Sequence, residues 1–199
     1  MIDPVEARLR DALSRPAGPS SDFDLNPDVR PPADKALRPA AVLVPVWLHP
    51  EGPRVILTKR SSHLKHHPGQ IALPGGKVDA TDAGPEAAAL RETHEEIGLD
   101  PARVELLGAL PVHETVTGFA VTPFVGLIRG PFTPVAEAGE VDEVFTVPLS
   151  HVLTASRFSV EGRRWMGVQR RYYVVPYGPY YIWGATARIL RGLADRAGL

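Results

Sequence analysis

The stretch from Pro74 to Leu99, PGGKVDATDAGPEAAALRETHEEIGL, constrains this chain more than any other. Gly75 and Gly76 open it, an alanine-rich run follows, and Arg91-Glu92-Thr93-His94-Glu95-Glu96-Ile97-Gly98 closes it. A helix turns about 100° per residue, so Leu90, Thr93 and Ile97 share one face and Glu92, Glu95 and Glu96 another. Like charges three and four residues apart repel by about 0.2–0.5 kcal/mol per pair. A solvated acidic face tolerates that, but the flanks add to the reading. Gly98 stands where a C-cap glycine ends a helix, so the run reads as a loop–helix–loop holding three carboxylates rigidly. Hard oxygen ligands of this kind suit Mg²⁺ or Mn²⁺, which leave positions open for water and phosphate oxygens.

That spacing resembles the Nudix box, G-x5-E-x7-R-E-U-x-E-E-x-G-U with U apolar. Gly76 is followed by five residues and Asp82, then by eight residues before Arg91-Glu92. The acid Asp82 is one position further from Arg91 than the pattern has it, and Thr93 replaces an apolar residue. The resemblance implies an α/β fold: an α/β/α sandwich with a mixed β-sheet and a loop–helix–loop metal site. It implies hydrolysis of a nucleoside diphosphate linked to another group, with Glu92, Glu95 and Glu96 as metal ligands. Glu95, Glu96 and Glu140 are the candidate bases, Glu140 because such enzymes often take a further Glu from outside the box. Arg91 is expected to orient a box glutamate by a salt bridge, and Gly75 and Gly76 to let the backbone approach the metal or phosphates.

A chain of 199 residues suits one domain with a full core. Net charge is −1, which sets up no field toward nucleic acid or an anionic membrane. Cys is absent, which excludes disulfides, thiol catalysis and Cys-based zinc sites. The start, MIDPVEARLR, lacks the apolar run of a secretory signal, so a cytoplasmic location is expected.

Asp3-Pro4 followed by Val5, Leu9 and Leu13 predicts a capped amphipathic helix ending near Ser14. Residues 15–39 turn to Pro, Asp, Ser and Gly and read as an extended segment across the surface. Residues 1–39 thus form an N-terminal helix and Pro-rich segment, and 40–199 the catalytic domain. Ala40 to Leu48 reads as a strand buried on both faces, with Pro45 at a bulge or sheet edge. Arg54 to Lys59 returns as its partner. After the box come expected strands over 103–110, 120–129, 140–147, 165–169 and 172–175. A short helix is expected over 149–155, and a C-terminal helix begins at Ile182-Trp183-Gly184. The aromatic run Tyr177 to Tyr181 reads as packing rather than a stacking platform.

Between the strands and the box lies Leu57-Thr58-Lys59-Arg60-Ser61, then Leu64-Lys65-His66-His67-Pro68-Gly69-Gln70-Ile71-Ala72-Leu73-Pro74-Gly75-Gly76. This is similar to the signature of the coenzyme A diphosphatase branch of the Nudix family, as is the IWG-x-TA start of the last helix. Lys65 stands where that signature has Arg, so the charge is kept and the bidentate fork lost. The resemblance implies a small-molecule nucleotide as partner, coenzyme A, split into 4′-phosphopantetheine and 3′,5′-ADP. Lys59, Arg60, Lys65, His67, Gly75 and Gly76 are the candidate substrate contacts, a basic cluster suited to several phosphates. Lys65 keeps a second substrate class open: ADP-ribose, NADH or a dinucleoside polyphosphate. A non-catalytic nucleotide sensor has no need of all three glutamates. No basic stripe with interleaved aromatics suggests nucleic acid. A homodimer is compatible with the sequence.

Overall fold

The computed structural model describes residues 2–29, 36–165 and 167–198. Residues 30–35 of the expected extended segment, and residue 166 of an expected strand, lie outside them.

The chain starts with α1 (Pro4–Ser14), where Asp3 accepts from the Val5 N–H at 2.8 Å and Pro4 takes the first turn. A two-residue strand β1 (Ser20–Ser21) follows. The long strand β2 (Arg38–Trp47) is central, and β3 (Arg54–Arg60), β4 (Ile71–Ala72) and β5 (Gly75–Lys77) lie to one side of it. Helix α2 (Pro85–Ile97) comes next, then β6 (Val104–Ala109), β7 (His113–Glu114), β8 (Phe119–Ile128) and β9 (Val141–Pro148). A short α3 (Leu149–Leu153), a hairpin β10 (Ser159–Trp165) and β11 (Val168–Val174), and α4 (Gly184–Ala197) complete the chain.

Among the described residues the main sheet has nine strands and is mixed: β2 runs parallel to β8 from Arg38–Phe119 to Trp47–Ile128 and antiparallel to β3 and β5. Side chains alternate along β2. Ala41 packs on Ala88 and Ala89 of α2, and Leu43 packs with Ile56, Ile97 and Ile128 on the same face. Val44 and Val46 face the larger core under α1, α3 and α4, with Leu9, Leu153, Ile182, Leu190 and Leu193. The result is the α/β/α sandwich, with α2 alone on one face.

Three local expectations need correction. Pro45 sits neither at a bulge nor at the sheet edge but in the middle of β2, opposite Gly126. On its other side the β5 ladder stops at Val42 and the β3 ladder starts at Val46, so Pro45 falls in a gap that asks less of its missing N–H. The strand expected over 165–169 straddles a turn instead, because Gly167 at φ 82° reverses the chain there and pairs Trp165 with Val168. The last helix starts at Gly184, two residues later than expected, since Ile182 and Trp183 stay extended and bridge back to β11. No described helix is long and apolar enough to cross a membrane.

Candidate active site

The site is built around α2. Gly84 and Pro85 start the helix, and Gly98 ends it at φ 70°, its N–H donating to the His94 carbonyl. Thr93, which replaces the apolar residue of the box, is buried and donates its hydroxyl to the Ala89 carbonyl at 2.6 Å. The hydroxyl is satisfied inside the helix, so the position remains compatible with the core.

The three glutamates of the box separate. Glu96 is 4% exposed and its Oε2 accepts from the Gly75 N–H at 3.2 Å. Burial pushes its carboxyl up to about 7, against the pull of that N–H and of Arg60, whose Nη1 lies 3.9 Å from Oε1. Glu92 is half-buried and packs against Gly76 so closely that a Cβ there would collide with its carboxylate. Its pKa is raised, first by burial, with Glu95 and Glu140 adding to the rise and Arg91 opposing it. Glu95 turns outward: its side chain is 55% exposed and its Oε2 accepts from Arg91 Nη1 at 2.9 Å. The sequence grouped Glu95 with Glu92 and Glu96 on one helix face, and the structure draws it to Arg91, one turn back on that helix.

Arg91 holds the whole loop. Its Nε and Nη2 donate to the two oxygens of Asp82 at 2.9 and 3.0 Å, and Nη2 reaches the Lys77 carbonyl at 3.3 Å and Glu92 Oε1 at 3.1 Å. Asp82 in turn accepts from the Asp79 N–H at 2.8 Å. The guanidinium, ahead of that N–H, holds its carboxyl below the usual carboxylate range. Asp82 therefore braces the loop before the helix.

Gly75 has φ 148° and no space for a side chain, since a Cβ would run into the backbone of Ala41 and Val42. Both glycines are thus dictated by close approach, one to β2 and one to Glu92. Glu140 stands at the start of β9, its carbonyl accepting from the Ser61 N–H at 2.8 Å, and its charge bears on Glu92 and Glu96. Among the described residues no three His, Cys, Asp or Glu side chains converge as a closed metal cage. The donor set still fits a hard divalent cation. Glu92 and Glu96 are desolvated carboxylates, Glu92 adding to the rise at Glu96, and the open cradle beside Gly76 leaves Glu92 room that a Cβ would fill. Those two are the residues that would hold it, with Glu140 facing them.

The basic residues disperse. Arg60 reaches the carboxylates; Lys59 stays on β3, opposite Glu143 and with its charge acting on Asp142. Lys65 is exposed on the loop after β3 and makes no ion pair among the described residues. His67, at φ 56°, lies on the rim of a neighbouring cavity, its pKa lowered first by desolvation and next by Arg60. The aromatic run behaves as packing: Tyr180 stacks on Phe145 with ring centroids 3.6 Å apart and donates to Glu143, and Tyr181 donates to Glu161. What sequence reasoning missed is the cavity itself, about 450 Å³, with Arg163, Arg170, Arg171 and Arg188 in its wall. The arginine doublets 163–164 and 170–171 flank a two-strand turn and were the available signal.

A mixed sheet between helices, with desolvated carboxylates on a glycine-braced loop–helix, suits the hydrolysis of a phosphate anhydride. Residues 37–170 match the NUDIX domain, and the chain belongs to the Nudix hydrolase family, whose members act on nucleoside diphosphate derivatives. It is 47% identical over 162 residues to an uncharacterized Nudix hydrolase NudL of Enterobacter sp. (strain 638), covering 81% of this chain and 84% of the relative. The NudL of Salmonella paratyphi B is 45% identical over the same coverage. Among solved structures, the Nudix hydrolase RenU of M. smegmatis superposes with a TM-score of 0.50 at 25% identity, over 59% of this chain and 74% of that one. A MutT/nudix family protein from Enterococcus faecalis gives 0.51 at 17% identity over 98% of this chain and 74% of its own, a likeness of fold.

Proposed function

We propose that this chain hydrolyses the diphosphate of coenzyme A or its derivatives to 4′-phosphopantetheine and 3′,5′-ADP. The observation that carries this reading is how residues 57–76 fold. Strand β3 ends in Arg60 facing Glu96, and the loop returns so that the Gly75 N–H binds the same carboxylate. The stretch similar to the coenzyme A diphosphatase signature therefore meets the box at a single carboxylate.

Mg²⁺ or Mn²⁺ held by Glu92 and Glu96 would draw charge from the diphosphate oxygens and lower the pKa of an attacking water. Gly75 aims Glu96 through its N–H, and Arg91 steadies Glu92 from the opposite side. Arg60 is placed to meet a phosphate oxygen beside Glu96. The water attacks phosphorus, its proton passes to a carboxylate, and the P–O bond to the departing phosphate breaks. Glu95 is engaged by Arg91, so the acceptor is drawn from Glu92, Glu96 and Glu140, and Glu95 with Arg91 keeps the loop in place.

The test compares turnover of coenzyme A, ADP-ribose and NADH with Mg²⁺ and with Mn²⁺, beside Glu96→Gln. Preference for coenzyme A, with 3′,5′-ADP as product and loss in the variant, is the expected result. Preference for ADP-ribose or NADH keeps the hydrolysis and removes the substrate. Nucleotide binding without turnover of any of them makes the chain a sensor.

A further inference from the structure

The cavity beside the active site is assembled from parts of the chain far apart in sequence. One wall is residues 21–29, another the β10–β11 hairpin, and a third the start of α4; His67 and Gln70 close the end toward the carboxylates. Asn26, buried, fastens the first wall to the second. Its Nδ2 donates to the Arg171 carbonyl at 2.9 Å, and its Oδ1 accepts from the Arg171 N–H at 2.7 Å. The first wall is also anchored from below, where His113, fully buried, lies 3.0 Å from Ser20 Oγ and 3.1 Å from Asp22 Oδ1.

The electrostatics of this cavity are unbalanced. Arg163 and Arg170 are directly opposite each other across the hairpin, a pairing that destabilises an antiparallel ladder. The Nε atoms of Arg170 and Arg188 are buried with no hydrogen-bond partner among the described residues. The acids facing them are Asp24, which takes Arg188 Nη2 at 3.1 Å, and Asp22, already held by His113 and the Val116 N–H. Glu161, on the same hairpin face as Arg163 and Arg170, is engaged by the Tyr181 hydroxyl, and among the described residues no carboxylate lies within ion-pair distance of Arg163, Arg170 or Arg171. Beside it Tyr172 and Trp183 set their rings 5.0 Å apart at 59°, leaving aromatic surface in the same wall.

Repelling arginines, two of them with buried Nε atoms, next to half-exposed aromatic rings suit a group that is both anionic and flat. Gln70 of the cavity wall is tied to the strand that reaches the reaction centre. The Gln70 carbonyl accepts from the Arg60 N–H at 2.9 Å, and the Arg60 guanidinium is the one near Glu96.

Resting on the reading of the chain as a coenzyme A hydrolase, we propose that this cavity receives the 3′-phosphorylated adenosine of the substrate, with Arg163, Arg170 and Arg188 meeting the 3′-phosphate and Tyr172 with Trp183 meeting the base. The other end of the substrate is a neutral chain of amides and methylenes ending in a thiol, and it has no use for a cluster of guanidinium groups.

The experiment compares coenzyme A with 3′-dephospho-coenzyme A as substrates of the full chain, wild type and the variants Arg170→Gln and Arg188→Gln. The wild type is expected to favour coenzyme A in kcat/KM by about tenfold or more, the effect of charge-assisted contacts to one phosphate. Each variant is expected to collapse that ratio toward one, mostly through KM. A ratio of one in the wild type, or a ratio the variants leave intact, overturns the proposal. Turnover of the dephospho substrate reports in the same samples that each variant is folded. If the wild type turns over neither substrate, the functional reading fails, and calorimetry decides the cavity separately. Tighter binding of adenosine 3′,5′-bisphosphate than of ADP, lost in Arg170→Gln, upholds it, and equal or absent binding of the two overturns it.

Discussion

The carboxylate site on α2 and the arginine-lined cavity beside it are opposites in sign and alike in their frustration. In the first, burial raises the pKa of Glu92 and Glu96, and the charge of Glu140 adds to the rise at both. In the second, Arg163 faces Arg170 across a hairpin while Arg170 and Arg188 keep buried Nε atoms without partners among the described residues. Neither arrangement favours the fold by itself. Each would be relieved by a ligand of the other sign, in the way that binding sites come to oppose stability. They differ in assembly. The acidic site lies mostly within one loop and one helix, and the basic one needs residues from 26 to 188 brought together.

The comparison is tested most severely at Glu96. Glu96→Gln is expected to lower kcat on the preferred substrate by about 10²–10⁴-fold, the range for losing a positioned carboxylate in proton transfer. The same change should stabilise the fold without divalent ions. The Glu96 carboxyl is raised in the folded state to about 7 from its ordinary 4.5, so the native protein binds the extra proton between those values. Stability of the ion-free wild type therefore falls as pH rises through that window and stays lowered above pH 7. Melting curves at pH 5 and pH 8, with and without Mg²⁺, check this. The wild type should lose stability toward pH 8 and regain it with Mg²⁺, and the variant, with only the raised Glu92 left, should do both to a smaller extent. A flat wild-type curve would remove the strain ascribed to the acidic site.

Next in size is Asn26→Ala. The change strands the Arg171 N–H and carbonyl and should cost about 1–3 kcal/mol. Because Asn26 joins two walls of the basic cavity and touches no carboxylate, KM for coenzyme A should rise more than kcat falls. Equal losses in both would mean that the cavity is not a separate unit.

The smallest expected effect is at Arg163, which is exposed at the rim. Arg163→Gln relieves the cross-strand repulsion and should raise stability by about 0.2–1 kcal/mol in chemical denaturation. Its KM for coenzyme A should rise at the same time. Destabilisation instead would mean that the hairpin charges are already compensated.

Much of the acidic site was legible in the residues. Gly75, Gly76, Arg91, Glu92, Glu96 and Gly98 stand close together in the chain, where helix periodicity and the geometry of a C-cap glycine act over a few residues. The central strand over 40–48 was legible too, because burial on both faces leaves a nearly unbroken apolar run. The turn at Gly167 was not, since several Gly and Arg positions there permit a reversal and only pairing along the whole hairpin selects one. Nor was the outward swing of Glu95, which follows from where Arg91 finds its partners in the preceding loop.

By itself the sequence determined the family, the loop–helix that carries the carboxylates, and a charge pattern suited to phosphates, because these are local in the chain. Only the tertiary structure decided that Glu92 and Glu96 are desolvated while Glu95 is not, and that distant arginines share one cavity with Asn26 and His67. Burial and the meeting of remote charges depend on how the sheet and hairpin fold over one another, and no spacing along the chain encodes that by itself.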